Sequence, residues 1–370
     1  MRARALLPAM VAALLLPPAA AAKPRPLMLR WLHMVDRAHG YAISGVDSRG
    51  YRLLRTDDGG RRWADITPGK GTIHPSGAAT VAGRTILFGT QRGPQTFAVE
   101  RSDDGGRTWR MSAPLRDTHP AGIGAPTVVD ATHFFVALGE GAAAGSEAES
   151  LWASGDGGRT WRFVSRTGFT VTRPGQLPFG CDKDGFGFAT TSRGWAGGFC
   201  PGGAPFLYRT VDGGRTWHRE ALPGLSWCEC DVSPPRFFAP RIGVLTVMGW
   251  ARSGTKPLAR VYWTADGGLR WRASVPTAGR PSAAVSIPNA QTVWLDATRP
   301  GSLRGPYDRL LRTDDAGRRW HSLVLPFDGG NYALDALDAS VAFAYRTFTR
   351  STSILRTTDG GRHWIAISSS

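Results

Sequence analysis

The octapeptide Thr210-Val211-Asp212-Gly213-Gly214-Arg215-Thr216-Trp217 constrains this chain more than any other stretch, because near-copies of it recur six more times. They run from Thr56 to Trp63, Ser102 to Trp109, Ser154 to Trp161, Thr264 to Trp271, Thr313 to Trp320 and Thr357 to Trp364. All fit S/T-x-D-x-G-x-x-W, with the fixed carboxylate at Asp58, Asp104, Asp156, Asp212, Asp266, Asp315 and Asp359. Successive tryptophans lie 46, 52, 56, 54, 49 and 44 residues apart, a period that marks a repeat architecture.

Each octapeptide has the chemistry of a tight turn between antiparallel strands. The Asp side chain accepts hydrogen bonds from N–H groups just downstream and pins the turn from within. The Gly two places on takes a positive φ at no Cβ penalty. β-prone residues precede the turn, as in Tyr51-Arg52-Leu53-Leu54, and the tryptophan after it offers a large apolar face to a neighbouring sheet. The motif therefore reads as structural. Seven equivalent catalytic centres would be needed for the alternative.

Four strands fit each repeat. In the first they are expected near Leu29–Val35, Gly40–Gly45, Tyr51–Thr56 and Trp63–Thr67. The second strand recurs as Gly40-Tyr41-Ala42-Ile43, Phe134-Phe135-Val136-Ala137, Gly194-Trp195-Ala196-Gly197, Gly243-Val244-Leu245-Thr246, Val293-Trp294-Leu295 and Val341-Ala342-Phe343. Helical periodicity is nearly absent, and the 47 Gly and 26 Pro fall at turns. The fold class is all-β: a seven-bladed β-propeller of four-stranded antiparallel blades, with the octapeptide joining strands 3 and 4. Closure is expected from packing of blade 7 on blade 1, with Pro26 to Arg30 as an alternative closing strand.

Residues 1–22 have the pattern of a secretory signal peptide: Arg2 and Arg4, an apolar run from Ala5 to Leu16, and Ala20-Ala21-Ala22 before Lys23. Residues 23–370 are then one propeller domain, secreted or held in the cell envelope, without a transmembrane segment and expected as a monomer. The four cysteines, Cys181, Cys200, Cys228 and Cys230, fall in blades 4 and 5 and project onto the face opposite the octapeptides. In an exported chain an even count reads as disulfides. Cys181–Cys200 joins neighbouring strand ends, but it leaves Cys228–Cys230, a short-range pair of unfavourable geometry. Cross-pairing between the blades and a four-thiolate zinc site are the alternatives. The reading calls for no cofactor and no metal.

The octapeptide resembles the Asp-box, or BNR repeat, of sialidases, sortilin-type receptors and xyloglucan-cleaving glycosidases. The run from Ser192-Arg193-Gly194-Trp195-Ala196-Gly197-Gly198 to Tyr208-Arg209-Thr210 and its octapeptide is most similar to the photosystem II stability/assembly factor family. That resemblance covers essentially the whole mature chain. It implies the propeller fold and a chaperone-like scaffold role, and residues that build blades carry it.

Catalytic signals are thin. The sialidase resemblance would imply an arginine triad on a six-bladed ring and a Phe-Arg-Ile-Pro-type segment near the start. Here Pro240-Arg241-Ile242-Gly243 is the nearest echo. Glycoside hydrolysis needs two carboxyls across the scissile bond. Adjacent candidates are Asp182 with Asp184, Glu229 with Asp231, and Asp335 with Asp338. The chain carries no Gly-x-Ser-x-Gly, no His-Glu-x-x-His and no phosphate-binding loop, and its eight histidines are scattered.

Net charge is +16, and removing residues 1–22, with Arg2 and Arg4, leaves +14. Only four of the 45 basic residues are lysines, so the surface is arginine-rich and suited to carboxylate, sulfate or phosphate. Arg61, Arg107, Arg159, Arg215, Arg318 and Arg362 share one turn position, which Leu269 interrupts. The opposite face holds longer connections, where binding usually resides. On it Arg173, Lys183, Arg252, Lys256, Arg260, Arg299, Arg304 and Arg309 are expected to form a basic rim. The function expected is non-enzymatic: a binding or assembly scaffold for an acidic protein segment or an anionic glycan, not nucleic acid. The alternative is a sialidase-like glycoside hydrolase with carboxylates in the central funnel.

Overall fold

The computed structural model describes residues 27–46, 50–69, 72–73, 79–117, 121–143, 145–168, 172–202, 204–251, 257–274, 284–297, 309–327, 332–348 and 351–367. The signal-peptide expectation for residues 1–22 lies outside these. Among the described residues every regular element is a strand, and the strands form six sheets that make seven blades. Six sheets suffice because blades 4 and 5 are hydrogen-bonded into one, through Gly198 opposite Val232 and Phe199 opposite Asp231.

Blade 1 is representative: Leu29–Met34, Gly40–Val46, Gly50–Thr56 and Ala64–Asp65, paired antiparallel in that order. The expected boundaries hold to within two residues, except that the outer strand is shorter. Blades 2, 3 and 5 break the inner strand into two pieces, as in Gly122–Ile123 and Thr127–Val128 of blade 3.

The octapeptide turn repeats at atomic detail. The Thr or Ser hydroxyl accepts the N–H of the second Gly position at 2.8–2.9 Å in all seven copies, from Gly60 on Thr56 to Gly361 on Thr357. It donates to the Asp, whose Oδ1 accepts the N–H four places on at 2.8–3.0 Å. These backbone donors hold Asp58, Asp266, Asp315 and Asp359 below the usual carboxylate range. Gly268 presses on Trp195 of the preceding blade, so a side chain there has no room. At the first Gly position of the sixth copy stands Ala316, at φ 57°.

The core is divided among the seams. Seven apolar clusters occur, one between each pair of adjacent blades, and each holds one octapeptide tryptophan. Trp217 packs between blades 3 and 4, Trp271 between 4 and 5, and Trp63 between 7 and 1. The remaining seams take Trp109, Trp161, Trp320 and Trp364. Hence the duplicated indole is what joins blade to blade.

The ring closes without an exchanged strand. Leu29, Leu32 and Met34 of blade 1 pack against Val341, Phe343 and Ile354 of blade 7. Asp335 Oδ2 accepts the Met34 N–H at 2.5 Å, and Tyr345 Oη donates to the Arg30 carbonyl at 3.0 Å. The segment offered as an extra closing strand instead enters the inner strand of blade 1, which begins at Leu29.

Candidate binding channel

Arginine is the residue type whose role the geometry most clarifies. Arg55 donates to the Gly105 carbonyl at 3.2 Å, Arg101 to Gly157 at 2.8 Å, Arg193 to Gly267 at 3.0 Å and Arg312 to Gly360 at 2.9 Å. In each case the guanidinium of one blade enters the octapeptide turn of the next. Arg272 does the same for Ala316 at 2.5 Å. A large part of the arginine excess therefore builds the ring. The exposed turn arginines Arg61, Arg107, Arg159 and Arg215 each donate to the carbonyl of their own turn Asp. Arg318 and Arg362 are likewise exposed.

Of the expected basic rim, Arg173 is exposed. Arg260 donates to the Gly224 carbonyl and is spent on that loop. Arg309 begins the third strand of blade 6. Arg252, Lys256, Arg299 and Arg304 lie outside the described residues. Lys183 departs from the expectation: it is buried, 7% exposed, and its ammonium donates to the carbonyls of Glu147, Phe179 and Cys181. Burial draws it down to about 8.

The cysteines pair as Cys181–Cys200 and Cys228–Cys230. Among the described residues no three His, Cys, Asp or Glu side chains converge as the four-thiolate zinc alternative requires. Cys228 and Cys230 do not precede the inner strand of blade 5 but lie within it, buried in the seam core. The i, i+2 alternation of that strand puts both side chains on one face.

The inner strands of blades 1 to 5 enclose an axial cavity of about 900 Å³. Glycine, alanine and proline make up nearly half of its wall, with a few apolar rings among the rest, including Trp31, Phe186 and Phe188. Its charged lining has two parts. In one part the exposed Arg236 donates to the Ile287 carbonyl at 2.9 Å, and His33 Nδ1 contacts Asp335 Oδ1 at 3.2 Å. At the end opposite the octapeptides, Glu147, Glu149, Lys183 and Asp184 line the wall.

That second end is acidic. The second and third strands of blade 3, Phe134–Ala143 and Ser146–Ser154, are long, so Glu140, Glu147 and Glu149 sit on a projecting hairpin. Burial and the neighbouring Glu147 push Glu149 up to about 8, against the pull of Lys183. Burial and Asp117 push Glu140 up to about 7. Arg166 binds both, with Nε on Glu140 at 2.9 Å and a terminal nitrogen on Asp117 at 2.5 Å. Asp184 of blade 4 lies near Asp231 of blade 5, whose Oδ1 receives no hydrogen bond. Enclosure by the wall and this second carboxyl raise Asp184 well above the carboxylate range. The Asp184 side chain is exposed along the channel.

The sequence pairs Asp182 with Asp184 and Glu229 with Asp231 by adjacency, whereas folding joins one member of each across the seam of the fused sheet. Asp117, Glu140, Glu147 and Glu149 were not singled out at all. The available signal was Glu147 and Glu149 on the same face of a strand whose later residues are apolar. Asp335 and Asp338 separate: Asp335 closes the ring, and Asp338 pins a turn through the N–H groups of Ser340 and Val341.

No protein-family model and no curated protein matches the chain. Among solved structures it is similar to YCF48 bound to D1 peptide, at 14% identity and a TM-score of 0.51, over 90% of this chain and 94% of that one. It is also similar to an uncharacterized protein of Listeria monocytogenes EGD-e, at 8% identity and a TM-score of 0.52, over 93% and 95%. An ulvan lyase matches at 11% identity and a TM-score of 0.46, over 78% and 81%. Seam clusters, blade pairing and the likeness to YCF48 agree: the chain is a seven-bladed β-propeller, of the fold that YCF48 also has.

Proposed function

We propose that this propeller is an extracytoplasmic, non-enzymatic scaffold that holds a segment of a partner protein at the mouth of its axial channel. The observation that carries the reading is the cavity of about 900 Å³, walled by inner-strand backbone and open to solvent, in a ring stiffened at every seam. Ligand sites are commonly concave and largely preformed. The peptide in the YCF48 structure supports the use of this fold for a protein segment. Export is supported by the signal-like residues 1–22 and the two disulfides. No helix among the described residues is long and apolar enough to cross a membrane. The exposed turn arginines of the opposite face suit an acidic protein segment or an anionic glycan as a second contact.

The test is capture of partners from envelope extract by the chain from Lys23 onward, with a plugged variant beside it. Gly124 lines the cavity, and a Cβ added there meets only the Ala137 carbonyl and methyl at ordinary distance, so Gly124→Trp should fill the channel and still fold. A partner retained by the wild type and lost by the plug supports the scaffold. Equal retention by both overturns it.

One observation favours glycoside hydrolysis: two carboxyls, Asp184 and Asp231, lie near each other at the channel mouth, and burial and Asp231 raise Asp184 above the carboxylate range. Turnover of a fluorogenic glycoside or sialoside that Asp184→Asn abolishes would replace the scaffold with the hydrolase.

A further inference from the structure

In a chain whose net charge is +16, the channel mouth carries three acids, Glu147, Glu149 and Asp184, beside one cation, Lys183, among the described residues that line it. Lys183 is the cation at their centre, but an ammonium has three N–H donors. All three go to backbone carbonyls, those of Glu147, Phe179 and Cys181, and none is left for a carboxylate. Glu147 Oε2 accepts only a backbone N–H, that of Lys183, at 3.0 Å. Asp184 lines the cavity with its side chain exposed. Glu149 supplies the independent sign of a missing partner. It lines the cavity, is 9% exposed, and its Oε2 receives no hydrogen bond. Leaving a buried carboxylate oxygen unsatisfied is costly.

From this we infer that the mouth formed by Glu147, Glu149 and Asp184 is a recognition site for the ammonium or guanidinium of a lysine or arginine side chain on an extended segment of the partner. The inference rests on the scaffold reading and gives its partner a charge. It revises the earlier expectation, since the segment that enters the channel is basic while acidic contacts belong to the opposite face. Two features favour a side chain over an inorganic ion. Among the described residues no three His, Cys, Asp or Glu side chains converge closely enough to hold a metal. The cavity also continues past the acids between Phe186, Phe188 and Gly/Ala/Pro backbone, which suits an alkyl stem and the peptide behind it. The site is held firm from below. The Cys181–Cys200 disulfide fixes the strand entry beside Lys183, and Cys181 donates its N–H to Gly145 at the tip of the Glu147 hairpin.

The experiment is titration of the folded chain with a fluorescein-labelled Gly-Lys repeat peptide, a Gly-Glu repeat of equal length, spermidine and calcium chloride, read by anisotropy or calorimetry. The lysine peptide is expected to bind and the glutamate peptide not to. Glu149→Gln and Asp184→Asn should each weaken it about tenfold, the value of one charge-assisted hydrogen bond. Asp65→Asn on the exposed outer strand of blade 1 should leave it unchanged. Glu147→Gln is the second variant if either of the first two loses its near-ultraviolet circular dichroism. Absence of lysine-peptide binding, or binding equal in wild type and both channel variants, overturns the proposal. So does spermidine or calcium bound with the same variant dependence when the peptide is not. If the peptide fails while the Gly124→Trp-sensitive capture succeeds, this inference falls and the scaffold stands. If capture fails too, both fall.

Discussion

The Arg101 guanidinium of blade 2 donates to the Gly157 carbonyl at 2.8 Å, inside the octapeptide turn of blade 3, and also to the Ala131 carbonyl at 3.3 Å. Arg312 repeats this between blades 6 and 7, with the Ala339 carbonyl at 2.6 Å and Gly360 at 2.9 Å. Arg356 lies beside Gly59 across the closing seam. Arg101 and Arg312 are mostly enclosed, at 12% and 15% side-chain exposure, and join two blades through carbonyls. Arg312→Ala should therefore destabilise the chain by about 2 kcal/mol, measured by urea unfolding, because it removes charge-assisted hydrogen bonds at a seam. Arg312→Lys should recover less than half, since one ammonium cannot serve both carbonyls and Asp314 in the planar geometry of a guanidinium. The exposed Arg215→Ala serves as the comparison, with an expected change within about 0.5 kcal/mol. Equal effects at the two positions would remove the case for stapling.

A second prediction concerns the turn hydroxyl. Thr210 is fully buried, and its Oγ accepts the Gly214 N–H at 2.8 Å while donating to Asp212 at 2.8 Å. Thr210→Val keeps the shape and strands the Gly214 N–H, at a cost of about 1–3 kcal/mol. Thr210→Ser keeps the hydroxyl, as the natural Ser102 and Ser154 copies do, and should retain most of the stability. A valine variant as stable as the serine variant would count against the hydroxyl.

The blades were legible because their determinants are local and repeated. Thr56, Asp58, Gly60 and Trp63 fold against one another within eight residues, and seven copies of that pattern point one way. The channel chemistry was not legible, because it depends on which residues the ring brings together. Asp184 and Asp231 are 47 positions apart, on different blades, and meet only through the fused sheet. Lys183 looks like a rim cation in a basic chain, yet the hairpin carrying Glu147 supplies one carbonyl for its ammonium, and Phe179 and Cys181 supply two more. Arg101 and Arg312 resemble surface charge for the same reason. Their acceptors lie on the next blade, about one repeat later.

A third prediction tests the closing seam. Asp335 accepts the Met34 N–H and contacts His33, so one carboxylate of blade 7 holds the inner strand of blade 1. Asp335→Ala leaves a buried backbone N–H without its partner and should cost about 1–3 kcal/mol. The loss should be localised: amide exchange of Leu32 and Met34 should accelerate more than that of Leu245 and Val247 on the far side of the ring. Uniform acceleration would mean that the seam is not a separate weak point.

The fourth prediction is the pH profile, whose two limbs have opposite causes. The turn aspartates, such as Asp58 and Asp266, are held below their ordinary value, so their contribution is present above about pH 4 and is lost as pH falls through the folded values. Glu149, Glu140 and Asp296 behave the other way, pushed up by burial to about 8, 7 and 7. Between their unfolded values near 4 and these folded values, the folded chain binds more protons than the unfolded one, so stability declines as pH rises. Lys183, drawn down to about 8, reverses that slope only above pH 8. The chain should thus be most stable near pH 5 and lose more than about 1 kcal/mol by pH 8, one pK unit of differential ionisation being worth about 1.4 kcal/mol. Urea midpoints at pH 4, 5, 6, 7 and 8 measure this, and Glu149→Gln, which cannot ionise, should flatten the decline between pH 6 and 8. Stability that rises steadily from pH 5 to 8, or a slope that Glu149→Gln leaves untouched, would show that the buried carboxyls at the channel mouth titrate as ordinary surface acids.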